Sequence, residues 1–328
     1  MQSMNFKRNR TTRPRRKAFT LIEVMVATTV MVILVGLVIQ ITNEVLKVWN
    51  RSSGKLSATA EARVALELLT ADLETAIFRD NGMQWLRVES PVDVGDDYAN
   101  QTVALKLFAP ALDRPKADAS GNSIPGDVCG IAYRLAYKEA YTSPAGEGPK
   151  IYALYRRLVD ARLTFNELLG TGNQESLDKT MPKWSANSFG NYADGQITAI
   201  EDESNYLATN IVNFKIIIYY LDDSVLPPTA KPYNADPNTL KLKEIDYVYG
   251  GNQYTGIDLN PPSQVQPLYA DIVLTMITDQ GLEMLQNVTE GRLGTGYVDE
   301  STLTAEEQIV REHSETFTRR VSFAGRAF

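Results

Sequence analysis

The stretch Arg15-Arg16-Lys17-Ala18, followed by residues 19–40 (FTLIEVMVATTVMVILVGLVIQ), decides the fold of this chain. From Phe19 to Ile39 it carries one charged residue, Glu23. A run of about 20 apolar residues is long enough to cross a bilayer as a helix, because each helical residue adds about 1.5 Å. We therefore predict a transmembrane helix over residues 19–40.

Charge is divided unevenly around this helix. Residues 1–18 contain seven basic residues and no acidic one, whereas the whole chain of 328 residues has a net charge of −7, so residues 19–328 carry −14. Basic residues beside a membrane segment stay on the cytoplasmic side. Residues 19–328 therefore have no excess of Lys and Arg to neutralise phosphates, which excludes a nucleic-acid partner.

Beyond Gln40 the helical pattern continues and becomes amphipathic over residues 41–80, and no proline occurs from residue 15 to 90. This pattern predicts one helix from about Phe19 to Arg79, ended by Asn81-Gly82. Its second half is expected to pack on a domain. The predicted packing stripe is Val45, Trp49, Leu56, Ala60, Val64, Leu68, Leu69, Leu73 and Ile77, and the predicted polar face includes Glu61, Arg63, Glu67 and Asp72.

Residues 81–328 show strand patterns interrupted by long loops. Strands are predicted at residues 85–88, 102–108, 131–137, 151–159, 211–221, 269–278 and 315–324, with 131–137 and 151–159 as an antiparallel pair. Thr304-Ala305-Glu306-Glu307 has the capping-box form and predicts a short helix toward His313. Two long insertions are predicted at about residues 170–197 and 223–267. A long helix packed on an antiparallel β-sheet domain is an α+β fold.

Few residues support catalysis. His313 is the single histidine and Cys129 the single cysteine, which excludes a paired-histidine metal site and an intramolecular disulfide. The sequence contains no phosphate loop, dinucleotide fingerprint or nucleophile elbow. We therefore expect neither enzymatic activity nor a cofactor.

Acidic loops leave calcium binding as an alternative to a solvated acidic surface. Asn234-Ala235-Asp236-Pro237-Asn238 has the alternating oxygen ligands of a calcium loop, but it lacks the glycine and the distal glutamate of an EF-hand. The other acidic groups are Asp93, Asp96 and Asp97; Glu201, Asp202 and Glu203; and Asp222 with Asp223.

Glu23 requires an explanation, because a carboxylate in a membrane segment costs about 2.5–3.5 kcal/mol on insertion scales. Charge physics alone leaves two interpretations. Either headgroups solvate Glu23 near the interface, or the carboxylate has a partner and a function.

The segment from Arg15 to Glu23 resembles the class III leader of type IV prepilins and type II secretion pseudopilins. The resemblance implies that a prepilin peptidase cleaves between Ala18 and Phe19 and methylates the new amine of Phe19. It also implies that Glu23 is the assembly residue, which pairs with the N-terminal amine of a neighbouring subunit. This family usually has glycine before the cleavage site, where this chain has Ala18. Alanine is small enough for the same pocket, so we expect normal or slower processing.

Later segments are similar to J-type minor pseudopilins, including the cassette-encoded verrucomicrobial pseudopilin-like proteins. These segments are residues 67–79, 131–135, 152–158, 213–220 and 317–321. The resemblance implies a pilin-like fold and a minor subunit at the tip of a pseudopilus or pilus, in a type II secretion-like or type IV pilus-like system. A major subunit is usually smaller than this chain.

The same resemblance implies a location in the bacterial cytoplasmic (inner) membrane, with a periplasmic C-terminal domain. The implied partners are the prepilin peptidase, other pseudopilins or pilins, the inner-membrane platform of the secretion system, and membrane lipid. Two alternatives are a fimbrial pilin and a single-pass, membrane-tethered extracytoplasmic binding domain that does not polymerise.

Overall fold

The computed structural model of the protein describes most of the chain. The described residues are 20–78, 84–92, 94, 101–110, 128–139, 142–143, 146–148, 150–159, 161, 164–169, 177, 200, 203–224, 226–249, 266–289 and 304–323. The chain forms two compact units, residues 1–52 and residues 53–328.

One long helix, α1, runs over Leu21–Glu74. In the first unit its described side chains are exposed from Leu21 to Trp49. Within the described part of the chain, α1 is the one helix long and apolar enough to cross a membrane. The predicted single helix is confirmed, but it ends at Glu74 rather than at Arg79. The chain leaves the helix because the Ile77 N–H donates to the carbonyl of Phe108 (2.8 Å). Asn81 and Gly82 lie outside the described residues.

The described strands of the second unit form two antiparallel sheets and a short ribbon. The six-stranded sheet has the order β10-β1-β2-β3-β6-β7, the four-stranded sheet has the order β12-β11-β8-β9, and β4 pairs with β5. The bounds are β1 Leu86–Glu89, β2 Ala104–Ala109, β3 Cys129–Glu139, β4 Thr142–Ser143, β5 Gly146–Glu147, β6 Lys150–Val159, β7 Tyr206–Thr209, β8 Ile211–Asp222, β9 Thr229–Pro232, β10 Tyr247–Tyr249, β11 Tyr269–Ile277 and β12 Ser314–Ser322. The α+β class is confirmed.

Two predictions about the arrangement of strands are confirmed. Strands β3 and β6 form the predicted antiparallel pair, in register from Gly130 opposite Val159 to Glu139 opposite Lys150. Strand β8, the most apolar strand of the sequence, lies inside the four-stranded sheet, between β11 and β9.

Two short helices follow β11: α2 over Asp279–Thr289 and α3 over Ala305–His313. Helix α3 begins with the predicted capping box. The Thr304 hydroxyl accepts from the Glu307 N–H (3.3 Å), and the Thr304 N–H donates to the Glu307 carboxylate (3.0 Å). Helix α2 was not predicted, because Gly281 occupies its third position, where a capping box would have an acid or an amide.

The predicted insertion at 223–267 contributes to both sheets. Strand β9 pairs with β8, and strand β10 pairs with β1, so this segment supplies an edge strand to each sheet. Residues 250–265 lie outside the described residues. Within the predicted insertion at 170–197, the structure describes Leu177, which is buried in an apolar cluster with Phe108 and Ile200.

The packing face predicted for α1 is wrong in part. Leu56 and Val64 are 70% and 54% exposed, and Ala60 is exposed too. The side chains of α1 that enter the core are Ala62, Ala65, Leu66, Leu69 and Leu73, and with Ala76, just beyond the helix, they join strands of both sheets in one apolar cluster. Each fully buried leucine stabilises the fold by about 1.5–3 kcal/mol. Asp72, predicted on the polar face, is 4% exposed.

Candidate assembly site at the start of helix α1

Glu23 lies in the first turn of α1 and is held by Thr20. Its carboxylate Oε2 accepts from the Thr20 N–H (2.9 Å) and from the Thr20 hydroxyl (3.1 Å). In return the Thr20 hydroxyl accepts from the Glu23 N–H (3.4 Å). These bonds form a reciprocal capping box, which satisfies two of the orphan N–H groups at a helix start. Thr20 and Glu23 have the same Thr-x-x-Glu spacing that predicted the capping box at Thr304, so the sequence contained a signal for this cap.

The two oxygens of the Glu23 carboxylate differ in their bonding. Both hydrogen bonds to the carboxylate reach Oε2, and within the described ranges neither a hydrogen bond nor a basic side chain reaches Oε1. Glu23 is exposed. One oxygen therefore fixes the carboxylate on its own helix, and the other is available to a donor from another chain.

Three threonine hydroxyls in the apolar segment and just beyond it are satisfied within the helix. The hydroxyls of Thr28 and Thr29 donate to the Met25 carbonyl (2.9 and 2.8 Å), and the Thr42 hydroxyl donates to the Val38 carbonyl (2.7 Å). Groups bonded in this way suit a lipid environment, where an unsatisfied polar group is costly. Glu23 is the acidic group of this segment, and its Oε1 retains bonding capacity for a partner.

Ala18 and Phe19, the two residues of the predicted cleavage site, lie outside the described residues. Cleavage between them and methylation of Phe19 stay predictions. The described geometry bears only on Glu23 and its neighbour Thr20.

A second charged cluster, which the sequence did not reveal, ties α1 to the six-stranded sheet. The Arg156 guanidinium donates from Nε to Asp72 Oδ2 (2.8 Å) and from Nη2 to Asp72 Oδ1 (3.0 Å). The Tyr133 hydroxyl also donates to Asp72 Oδ2 (2.5 Å). Arg156 and Tyr133 are fully buried. Burial, and then the negative charge of Asp72, raise the pKa of Tyr133 well above its ordinary value.

Another buried ionic network holds the segment before β10 against β1 and β2. Arg87 pairs with Asp246 (2.8 Å) and Glu89 (3.1 Å), and Lys106 pairs with Glu89 (2.8 Å). Burial lowers the pKa of Lys106 against the opposing effect of Glu89. This network contains no residue of α1, so it provides a useful comparison for the Asp72 cluster.

Two of the residues considered for calcium, Asn234 and Asp236, already make hydrogen bonds within the protein. The amide of Asn234, fully buried, accepts from the Ile218 N–H (3.0 Å) and donates to the Ile216 carbonyl (2.8 Å). Asp236 Oδ1 accepts three bonds from Asn238 and Thr239. In the part of the chain that the structure describes, no group of three His, Cys, Asp or Glu side chains is placed to hold a metal. Asp93, Asp96, Asp97, Glu201 and Asp202 lie outside it, and calcium binding stays a prediction.

Comparison with known proteins identifies the segment that contains this site. Residues 13–39 match the prokaryotic N-terminal methylation motif, a type IV pilin-like signal. The motif indicates a protein of the type IV pilin-like or pseudopilin type, and it implies processing by a prepilin peptidase and assembly with other pilins. No curated protein and no solved structure matches the chain.

Proposed function

We propose that this protein is a minor pseudopilin, which assembles through α1 into the tip of a pseudopilus or pilus of a type II secretion-like or type IV pilus-like system. The observation that carries the proposal is the methylation motif at residues 13–39, which ends within α1. The size of the chain, 328 residues, favours a minor over a major subunit.

Before assembly, the subunit resides in the bacterial cytoplasmic (inner) membrane. The basic segment before Phe19 remains in the cytoplasm, the apolar half of α1 spans the bilayer, and the sheets lie in the periplasm. The inner-membrane platform of the secretion system and the peptidase act on this form. The protein is not an enzyme in this proposal, and it needs no cofactor.

Assembly brings the methylated amine of a neighbouring subunit to Glu23. A carboxylate and an ammonium that pair in lipid remove two uncompensated charges from an apolar medium. Such a pair also fixes the axial register of parallel helices, as one buried polar residue does in a coiled coil. The free Oε1 of Glu23 supports this role, because Thr20 occupies only Oε2.

The cleavage experiment tests the proposal at Ala18. The full chain is produced with a prepilin peptidase, or with a catalytically inactive peptidase as control, and its N-terminus is determined by mass spectrometry. We expect the chain to lose residues 1–18 and to begin at methylated Phe19. Ala18→Gly should be processed at least as fast, and Ala18→Trp should remain uncut because the ring does not fit a pocket for small residues. An intact N-terminus beside an active peptidase contradicts the proposal.

Partner identity separates the proposal from its alternatives. A minor subunit should cross-link through its membrane segment to other pilin-like subunits, whereas a fimbrial pilin should cross-link mainly to copies of itself. A membrane-tethered binding domain should cross-link to neither.

A further inference from the structure

Strand β12 forms one edge of the four-stranded sheet, and it differs from the other sheet edges in the described part of the chain. The described sheets end at β7, β9, β10 and β12. Strands β7 and β9 have four residues each and β10 has three, whereas β12 has nine. Its pairing with β11 runs without a bulge from Ser314 to Ser322, and the strand contains neither proline nor glycine. A long and regular edge of this kind offers a row of backbone groups to a further strand.

Two of the other edges carry features that oppose the addition of a strand. Strand β9 ends with Pro232 and follows Pro227 and Pro228, and proline cannot donate a ladder hydrogen bond. Beside β7, the Glu61 carboxylate of α1 accepts from the Thr209 N–H (3.1 Å), which occupies a backbone donor of that edge. Short strands, prolines and covering elements are common ways in which proteins protect a sheet edge. Strand β12 is neither short nor interrupted by proline.

The core-facing side of β12 is only partly covered. Directly opposite residues of an antiparallel pair lie on the same face of the sheet. Four residues of β12 lie opposite core residues of β11 and share their face: Glu315, Phe317, Arg319 and Val321. Val321 is buried and Phe317 is half-buried, whereas Glu315 and Arg319 are exposed. A strand added beside β12 would cover more of the Phe317 ring, and removal of apolar surface from water favours association.

The exposed charges of this face have opposite signs. Glu315 and Arg319 flank Phe317, and within the described ranges neither forms an ion pair. Arg320, on the other face, is engaged in its own sheet, where the guanidinium donates to the two carboxylate oxygens of Asp271 (2.7 and 2.8 Å). Charges on an edge oppose a strand that carries like charges opposite them, but they favour one with the complementary order. The edge is therefore selective rather than closed.

We propose that β12 binds an extended segment of a partner polypeptide, which adds to the sheet as an antiparallel strand and carries an acidic, an apolar and a basic residue at alternating positions. The acidic residue lies opposite Arg319, the apolar residue opposite Phe317 and the basic residue opposite Glu315. Ladder hydrogen bonds from the backbone supply affinity in such a complex, and the alternating side chains supply specificity. This binding goes beyond the proposed function, and its test requires no assembly.

The partner is a polypeptide other than a second copy of this chain. Two antiparallel β12 strands would be related by a twofold axis normal to the sheet, which reverses every element that lies along the sheet. The packed part of α1, from Ala62 to Leu73, lies against strands of both sheets and would be reversed. Copies anchored in one membrane have α1 in the same direction. This step alone rests on the membrane anchoring in the proposed function.

The sequence of β12 itself supplies a probe peptide, because residues 314–322 (SETFTRRVS) contain the required order of charges. Antiparallel to β12, this peptide places its acid opposite Arg319 and a base opposite Glu315. A peptide with that acid and base exchanged (SRTFTERVS) has the same composition and places like charges opposite each other. Both peptides are made with blocked ends and a fluorophore, and binding to the full chain in detergent is measured by fluorescence anisotropy.

The preference between the two peptides tests the charge order. The parent protein should bind SETFTRRVS about tenfold or more tightly than SRTFTERVS, because two attractive cross-strand pairs become repulsive in the second complex. The variant Glu315→Arg with Arg319→Glu should reverse the preference, and it should fold as the parent does because both side chains are exposed. A preference that does not reverse overturns the proposal, and so does a preference of each protein for the mismatched peptide, since that would indicate parallel addition. Absence of binding to either peptide at about 0.1 mM parent protein also overturns it.

A matched control separates this pairing from general electrostatic attraction. Arg311→Glu with Glu312→Arg makes the same exchange of charges at two exposed positions of α3, directly before β12. This variant should retain the parent preference for SETFTRRVS. A reversed preference in the control overturns the proposal, because peptide choice would then follow nearby charge rather than position on β12.

Backbone pairing is tested with N-methylated peptides. Successive N–H groups of an extended strand point to opposite sides, so N-methyl groups on alternate residues block one edge and leave the other free. One version of SETFTRRVS is methylated at the positions of residues 315, 317 and 319, and the other at those of 316, 318 and 320. One version should bind about tenfold or more weakly than the other, since only one of them blocks the edge that faces β12. Equal affinity of the two versions overturns strand addition, because contact through side chains alone does not distinguish them.

Self-association of the chain decides the choice of partner. Sedimentation of the full chain in detergent should show the same mass for the parent and for Glu315→Arg. A parent dimer that is lost in Glu315→Arg would overturn the assignment to a different polypeptide. A failure of the cleavage experiment at Ala18 contradicts the proposed function but leaves the peptide-binding results unaffected, so the two proposals fail separately.

Discussion

Asp72 on α1 and Arg156 on β6 form a bidentate ion pair inside the core, across 84 residues of sequence. A buried pair of this kind is weak evidence for net stability, because desolvation of two charges offsets much of their attraction. Removing one partner is strongly destabilising, because the remaining charge stays buried without compensation. A single substitution of Asp72 or of Arg156 should therefore disturb the packing of α1 on the sheet.

Asp72→Ala should destabilise the protein by about 3–5 kcal/mol, the cost of breaking a buried pair from one side. Urea unfolding of the full chain in detergent, followed by tryptophan fluorescence, measures this change. Asp222→Ala is the control: it removes the partner of Lys231, which is 47% exposed, and should have a far smaller effect. Equal effects of the two variants would show that the Asp72 pair is not special.

Tyr133 should make the protein sensitive to alkali. An unfolded tyrosine loses its proton near pH 10.0, whereas in the folded protein the pKa of Tyr133 is raised well above that value by burial and by Asp72. The contribution of Tyr133 to stability is therefore complete below about pH 10 and is lost as the pH rises toward the folded pKa. Between pH 10 and 11 the parent should lose about 1 kcal/mol more than Tyr133→Phe. Urea midpoints at the two pH values give the comparison, and parallel losses in both proteins would contradict it.

Sequence patterns were sufficient to predict those helices and strands whose signal is local in the chain. Uninterrupted apolar residues define the first half of α1, runs of strand-forming residues indicate β3, β6 and β8, and the capping box at Thr304 marks the start of α3. Each of these signals lies within about ten residues of the element it predicts. Glu23, the single charge in the apolar run, is likewise a local signal, and its role in assembly stays a prediction.

The features that the sequence did not predict depend on contacts that are distant along the chain. Asp72 has the spacing of a polar surface residue, and only β3 and β6 make it a buried one. Strands β9 and β10 are short, with prolines nearby, and they are strands because β8 and β1 offer free edges. Helix α2 lacks an acid at its third position because Gly281 is required there for packing.

Gly54 and Gly281 should respond in opposite directions to alanine. A Cβ at Gly54, inside α1, would meet only the Thr278 Cβ, at 4.0 Å. Gly54→Ala should therefore stabilise the protein by up to about 1 kcal/mol through helix propensity. A Cβ at Gly281 would lie 2.7 Å from Ile277 Cγ1, and closer still to the Cβ of His313. Gly281→Ala should destabilise by about 1–3 kcal/mol through overpacking. Thermal unfolding of the two variants side by side measures both, and a stabilised Gly281→Ala protein would contradict the close approach of α2 to His313.

Glu23 and Thr20 should affect assembly to different degrees. Glu23→Ala should leave membrane insertion intact, since it removes a charge from an apolar helix. It should abolish cross-linking from a photoreactive probe on Val26→Cys, in the membrane segment, to epitope-tagged pilin-like subunits of the same cell. Thr20→Val removes the hydroxyl bonds to Glu23 but retains the backbone N–H bond. The carboxylate then remains available but is less firmly held, so cross-linking should be reduced rather than lost. Glu44→Ala, which changes an exposed acid on α1 beyond the predicted membrane segment, is the control and should cross-link as the parent does. Parent-like cross-linking by Glu23→Ala would contradict the assembly role of Glu23, because the subunits would then assemble without this carboxylate.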